Sequence, residues 1–175
     1  MKTNFFRTLV KQSLAATLVL GAIGAAHAGS STSNLSVTAS VGANCTISTT
    51  ATAFGAYDSI VANATTPLIA TGTVRTTCTT GSAATVTLDQ GVSPTVGSSD
   101  TVPLRRMTNG SNNYLAYDLF TDSGRSLPFG NTAGTGQSAN GIGTPVDTTV
   151  YGRVGSGQNV PVGSYTDLVI ATVTF

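Results

Sequence analysis

Beyond residue 28 the sequence contains no lysine, no histidine, no glutamate and no tryptophan. Those absences exclude a good deal of chemistry. A serine or cysteine nucleophile needs a neighbouring base, most often histidine or lysine, and that stretch has neither. Two cysteines without histidine or glutamate do not complete a four-ligand zinc site. The acidic residues are Asp58, Asp89, Asp100, Asp118, Asp122, Asp147 and Asp167. They are scattered and build no Asp-x-Asp-x-Asp loop with a closing glutamate, the pattern of an EF-hand calcium site. Asp118 and Asp122, four apart around an expected turn, read as solvated turn residues rather than an acid–base pair. Gly134-Thr135-Gly136 and Gly155-Ser156-Gly157 open no helix, so neither cradles a phosphate. No catalytic residue, metal or cofactor is expected, and the chain is not read as an enzyme.

Charge is sparse as well. Beyond residue 28, Arg75, Arg105, Arg106, Arg125 and Arg153 face the seven aspartates, 5 − 7 or about −2, against +1 for the whole sequence. Such a balance offers no footprint for nucleic acid or anionic lipid. Arg105-Arg106 is expected to place one guanidinium outward and to pair the other with an aspartate; a polysaccharide contact is the alternative. Tyr114, Tyr117, Tyr151 and Tyr165 fit either a sugar platform or a core with hydroxyls at its rim.

The remaining positive charges lie at the start. Lys2, Arg7 and Lys11 precede an apolar stretch from Leu14 to Ala26, and Ala26-His27-Ala28 is a small-x-small cleavage pattern. Residues 1–28 therefore read as a signal peptide. An apolar run of about 13 residues is too short to cross a bilayer as a helix, which takes about 20. Export of the remaining 175 − 28 = 147 residues is expected, with no membrane span in the mature chain. That length suits one domain with an ordinary core. Cys45 and Cys78, in an exported chain, are read as a disulfide, with free thiols or an intermolecular bridge as alternatives. Closing a loop of about 34 residues contributes roughly 3.8 kcal/mol on the chain-entropy model.

What is abundant is strand grammar. Helical periodicity is nearly absent after residue 28. Alternating or apolar runs bounded by Gly, Pro, Asn and Asp predict strands over 34–41, 44–49, 66–78, 83–89, 101–107, 113–121, 146–153 and 166–175. The last has apolar residues on both faces and is expected in a sheet interior. Thr121-Asp122-Ser123-Gly124 predicts a hairpin turn with Gly124 at positive φ. Gly130 to Gly143 predicts an exposed, mobile loop. The expected architecture is a single all-β sandwich.

Leu35-Ser36-Val37-Thr38-Ala39-Ser40-Val41 stands out, because it alternates cleanly where order usually fades. An amphipathic strand directly behind a cleavage site must be buried either by its own domain or by another molecule.

Several stretches together carry a resemblance. They are Asn44-Cys45-Thr46-Ile47, the second cysteine at Cys78, Tyr114-Leu115-Ala116-Tyr117-Asp118-Leu119-Phe120-Thr121-Asp122, and Val150-Tyr151-Gly152-Arg153. Val160-Pro161-Val162-Gly163-Ser164-Tyr165-Thr166-Asp167 and Ala171-Thr172-Val173-Thr174-Phe175 complete the set. In combination they resemble the spore coat protein U domain family, which includes secreted subunits of archaic chaperone–usher pili. The resemblance implies an incomplete immunoglobulin-like β-sandwich with an N-terminal donor-strand extension. It places the extension at 29–43 and the pilin-type domain at 44–175. Leu35, Val37, Ala39 and Val41 would fill the groove of another subunit. Val169, Ala171, Val173 and Phe175 would form the acceptor edge, and Cys45–Cys78 would match the family's disulfide. The implied partners are a periplasmic chaperone, an outer-membrane usher and other pilin subunits joined head to tail. Implied with them are passage through the periplasm to a cell-surface pilus, and a role in adhesion and biofilm formation. Two alternatives stay open: a self-complete secreted binding module that keeps 34–41 as its own strand, and a coat or matrix protein.

Overall fold

The computed structural model describes residues 28–175, so the leader read at 1–28 lies, but for Ala28, outside the described residues. The chain divides at Ala39/Ser40. Residues 28–39 carry no regular secondary structure, and none begins before Cys45. The strand expected at 34–41 is therefore not formed. Alternation gives a segment the capacity to be a strand, but a ladder needs a partner edge, and this segment is paired with none.

Among the described residues there are eight strands and no helix. They are β1 (Cys45–Thr50), β2 (Leu68–Cys78), β3 (Thr85–Leu88), β4 (Arg105–Thr108), β5 (Tyr114–Phe120), β6 (Gln137–Ser138), β7 (Val146–Val154) and β8 (Ala171–Thr174). One sheet runs β1-β2-β7-β5-β4 and the other β6-β3-β8, with every pairing antiparallel. The long strands follow their sequence pattern. In β5, Leu115, Tyr117 and Leu119 turn inward; in β7, Val150 and Val154 do; in β2, Val74 does. They meet Val86 and Leu88 of β3 and Phe129, which is fully buried, to make the core between the sheets.

Cys45 and Cys78 stand directly opposite each other in the β1–β2 ladder, Cα atoms 4.1 Å apart, and are bonded. The bond staples the first residue of β1 to the last of β2. It is needed there, because β1 is an edge strand with every residue after Cys45 exposed.

Four further expectations are corrected. First, β8 lies at a sheet edge rather than in the interior, paired with β3 alone, and Leu168 and Ile170 are exposed. Second, the run from Gly130 to Gly143 is exposed over much of its length, as expected, but it is anchored to the sandwich rather than a bare loop. β6 forms within it and pairs with β3, and Ala139 is buried. Its glycines serve close approach: a Cβ at Gly141 would collide with the carbonyl oxygen of Thr79, and one at Gly136 would lie 2.6 Å from that of Val86. Gly141→Ala is accordingly expected to lower stability by about 1–3 kcal/mol through overpacking, measured by urea unfolding. An unchanged midpoint would show that the segment yields.

Third, positive φ in the turn after β5 belongs to Arg125 (φ 55), not Gly124. Asp122 organises that turn, its Oδ1 accepting from the amides of Leu127 (2.7 Å) and Ser126 (2.9 Å). These bonds, the Leu127 amide first, hold its carboxyl below the ordinary value. Fourth, neither Arg105 nor Arg106 pairs with an aspartate carboxylate. Arg105 is 1% exposed and donates to the carbonyl oxygens of Leu88, Asp89 and Phe129. Arg106 donates to those of Ser93 and Pro94 and lies over the Tyr114 ring. The ion pairs instead join Arg75 to Asp147 and Arg153 to Asp118 across the outer face of the larger sheet.

Candidate functional site: an open cleft into the core

The two sheets do not close over one another. A cleft of about 1130 Å³ enters the core of the 40–175 unit. Its floor is Leu115, Tyr117 and Leu119 of β5 with Val150 and Val154 of β7. One rim is the stretch from Thr49 to Ser59, the other runs from Val160 to Ala171.

Local sequence shapes both rims. The first descends onto the larger sheet because β2 and β7 offer glycine there. A Cβ on Gly152 would lie 2.7 Å from the Phe54 ring, and one on Gly72 would strike the Thr52 hydroxyl. Phe54 thereby reaches Tyr117 edge to face, ring centroids 6.2 Å apart. Tyr57 hydroxyl donates to the Gly155 carbonyl oxygen at 2.8 Å, tying the same rim to the residue after β7. Asp58 caps the next turn, accepting from the amides of Ile60 and Val61, which hold its carboxyl below the ordinary range. In the second rim, Tyr165 hydroxyl donates back to the Pro161 carbonyl oxygen at 2.8 Å. A hydroxyl returning to backbone four residues upstream is the bond pattern of a tyrosine corner, here placed before the last strand.

A cleft with an apolar floor and mixed rims, flanked by the unpaired edges of β1 and β8, has one evident capacity. It can take an extended strand that supplies ladder hydrogen bonds to an edge and alternate side chains to the pocket.

The model of the spore coat protein U domain matches residues 31–172. The chain belongs to the spore coat protein U domain family. Protein U of Myxococcus xanthus is 45% identical over 179 residues, covering 98% of this chain and 99% of its own length. The fold also resembles a chain in the crystal structure of a chaperone–tip adhesion subunit pre-assembly complex from the archaic chaperone–usher Csu pili of Acinetobacter baumannii. That likeness has a TM-score of 0.54 at 21% identity and spans 77% of this chain and 40% of that one. It is a likeness of fold.

Within this family member, the residues singled out by sequence fall as follows. Val169 and Ala171 line the cleft, while Val173 packs against the core from β8. Phe175, 52% exposed, borders a separate shallow depression with Thr85, Thr172 and Thr174. Leu35, Val37 and Val41 are 87%, 85% and 85% exposed, and Ala39 is exposed too. Of the tyrosines, Tyr117 is buried and Tyr165 half-buried, each with its hydroxyl bonded, whereas Tyr114 and Tyr151 are half-buried on the other face of the larger sheet beside Arg106 and Arg125.

Sequence reading missed the first rim. Phe54 and Tyr57 sit in Ala51-Thr52-Ala53-Phe54-Gly55-Ala56-Tyr57, which shows no strand or turn pattern beyond Gly55. The available signal was two aromatics three apart in an otherwise small-residue stretch.

Proposed function

We propose that this chain is the structural subunit of an exported polymer, assembled by donor-strand exchange in an archaic chaperone–usher system. Residues 1–28 direct export, 29–43 form the donor strand, and 44–175 form the accepting sandwich. The open cleft with its apolar floor carries this reading, since a sandwich exposing core side chains there must be covered. The alternating segment supplies the complement: burying Leu35, Val37 and Val41 contributes on the order of 5–9 kcal/mol, at about 1.5–3 each. Ala39 suits the shallowest point of such a pocket. A donor that enters the cleft of a second copy makes a head-to-tail contact, which extends into a filament rather than closing. A periplasmic chaperone covers the cleft before assembly, and an outer-membrane usher is the place of exchange. A pilus that supports surface adhesion and biofilm formation follows from the same scheme.

The test is deletion of residues 29–41 from the mature chain. Fibres, scored by electron microscopy, are expected to disappear while the sandwich still binds a chaperone. Fibres from the truncated chain would sink the donor assignment. The family's name, with 45% identity to protein U, favours a second reading in which the same polymer is laid down as a coat. Localising the assembled protein on vegetative cells and on spores separates the two.

A further inference from the structure

The run Gly163-Ser164-Tyr165-Thr166-Asp167 leads along the second rim, and donor-strand exchange alone assigns its aspartate no task. The chain changes sheets here. Thr166 exchanges both backbone hydrogen bonds with Thr108 of β4, at 2.9 and 3.0 Å, on the edge of the larger sheet. From Ala171 onward it pairs with β3 of the smaller sheet. Residues 167–170 make the crossing, and two carboxylates hold it. Asp89 Oδ1 accepts from the Ile170 amide at 2.9 Å. Asp167 Oδ1 accepts from the amides of Leu168 and Val92, both at 2.9 Å.

The other oxygen of Asp167 reaches the floor. Its Oδ2 accepts the Tyr117 hydroxyl at 2.6 Å. Tyr117 lies mid-strand in β5 and is 6% exposed. Burial, followed by the bond to Asp167, pushes its phenol well above the ordinary range, so it remains a donor. One carboxylate therefore joins three parts: the cleft floor, the crossing rim and the loop after β3. That loop is shaped to admit it, since Gly91 has φ +75 and a Cβ there would collide with the Asp167 carboxylate.

The geometry points to Asp167 and Tyr117 as a positioning pair that holds the rim off the floor and keeps the cleft open for an incoming strand. The identity of that strand, residues 29–43 of a second copy, rests on the subunit reading; the spacing role rests on the geometry alone. The physical need is clear. Leu115, Leu119 and Val150 on the floor and Val169 on the rim would gain by closing on one another. A charge-assisted hydrogen bond has a set length and direction, whereas apolar contact has neither. Placed at the corner where the chain switches sheets, it works as a spacer.

Tyr117→Phe and Asp167→Asn, singly and together, test this in the full mature chain. Tyr117→Phe removes one oxygen and keeps the ring, so it decides the matter even if the Asp167 variant fails to fold. The first readout is amide hydrogen exchange. Each single variant is expected to speed exchange at Leu168 and Ile170 by about tenfold or more while β2 and β7 keep their protection. The second is capture of a fluorescent peptide spanning residues 29–41, expected to weaken about tenfold in each single variant. The double variant should be no worse than the singles, as for two members of one contact. Unchanged rim exchange, or losses that add in the double variant, would overturn the pairing. If the wild-type chain captures no peptide, the subunit reading fails, and the exchange data alone decide the spacer.

Discussion

Replacing Arg105 with methionine is expected to lower the free energy of unfolding by about 4 kcal/mol, a large share of a domain's stability. Arg105 begins β4 with its side chain directed into the interior, where it donates to Leu88 at 3.1 Å and Phe129 at 2.8 Å and, through Nε, to Asp89 at 2.8 Å. Those carbonyls come from two different segments: the end of β3 and the stretch that returns after β5. The strand edge cannot satisfy them all, so the guanidinium acts as their common donor. Burial pushes its pKa below the ordinary value. It remains a cation at neutral pH all the same. Methionine fills similar space and strands three acceptors, each worth about 1–3 kcal/mol when left unsatisfied in a buried site. Arg105→Lys is the sharper variant. It keeps the charge but offers a point donor in place of a planar fork, and should recover less than half the loss. Urea unfolding at constant m-value measures both. A loss under about 1 kcal/mol for methionine would mean that water replaces the guanidinium.

Converting both cysteines to serine is expected to cost about 3.8 kcal/mol, the chain-entropy value for a loop of this size. The structure says where the loss appears. β1 has one ladder partner and almost no buried face, so without the bond it is held mainly by backbone hydrogen bonds to β2. The first rim of the cleft hangs from its end at Thr50. Hydrogen exchange should therefore rise first in 45–59, ahead of β5 and β7. Equal acceleration throughout the sandwich, or a change in stability below about 1 kcal/mol, would count against this division.

How far the chain could be read from its residues depends on the range of the interaction that decides each feature. β2, β5 and β7 were legible because period-2 burial is written locally: Leu115, Tyr117 and Leu119 alternate with Tyr114, Ala116 and Asp118. The cysteine pair and the family were legible too. Arg105 was not. Its environment is three carbonyls from 16 to 24 residues away, and nothing beside it in sequence announces them. The Gly130–Gly143 segment misled for a related reason. Glycine marks either a free backbone or one pressed against another, and only the contacts with Thr79 and Val86 distinguish these. β8 misled because two apolar faces do not specify how many neighbours a strand has. The Tyr117–Asp167 bond spans 50 residues and joins two stretches that sequence reading had treated separately.

The arginines have a further consequence. Arg75 and Arg153 are bonded to aspartates, and Arg105, Arg106 and Arg125 to backbone carbonyls. Among the described residues every cationic side chain is thus committed within its own chain, and no lysine adds to them. In the proposed assembly no guanidinium is left over to bond a partner's aspartate, and with about −2 on each copy the long-range field is a weak repulsion rather than an attraction. Recognition is left to shape and apolar fit at contact. Assembly on the proposed subunit reading is therefore expected to speed up only slightly as salt screens that repulsion.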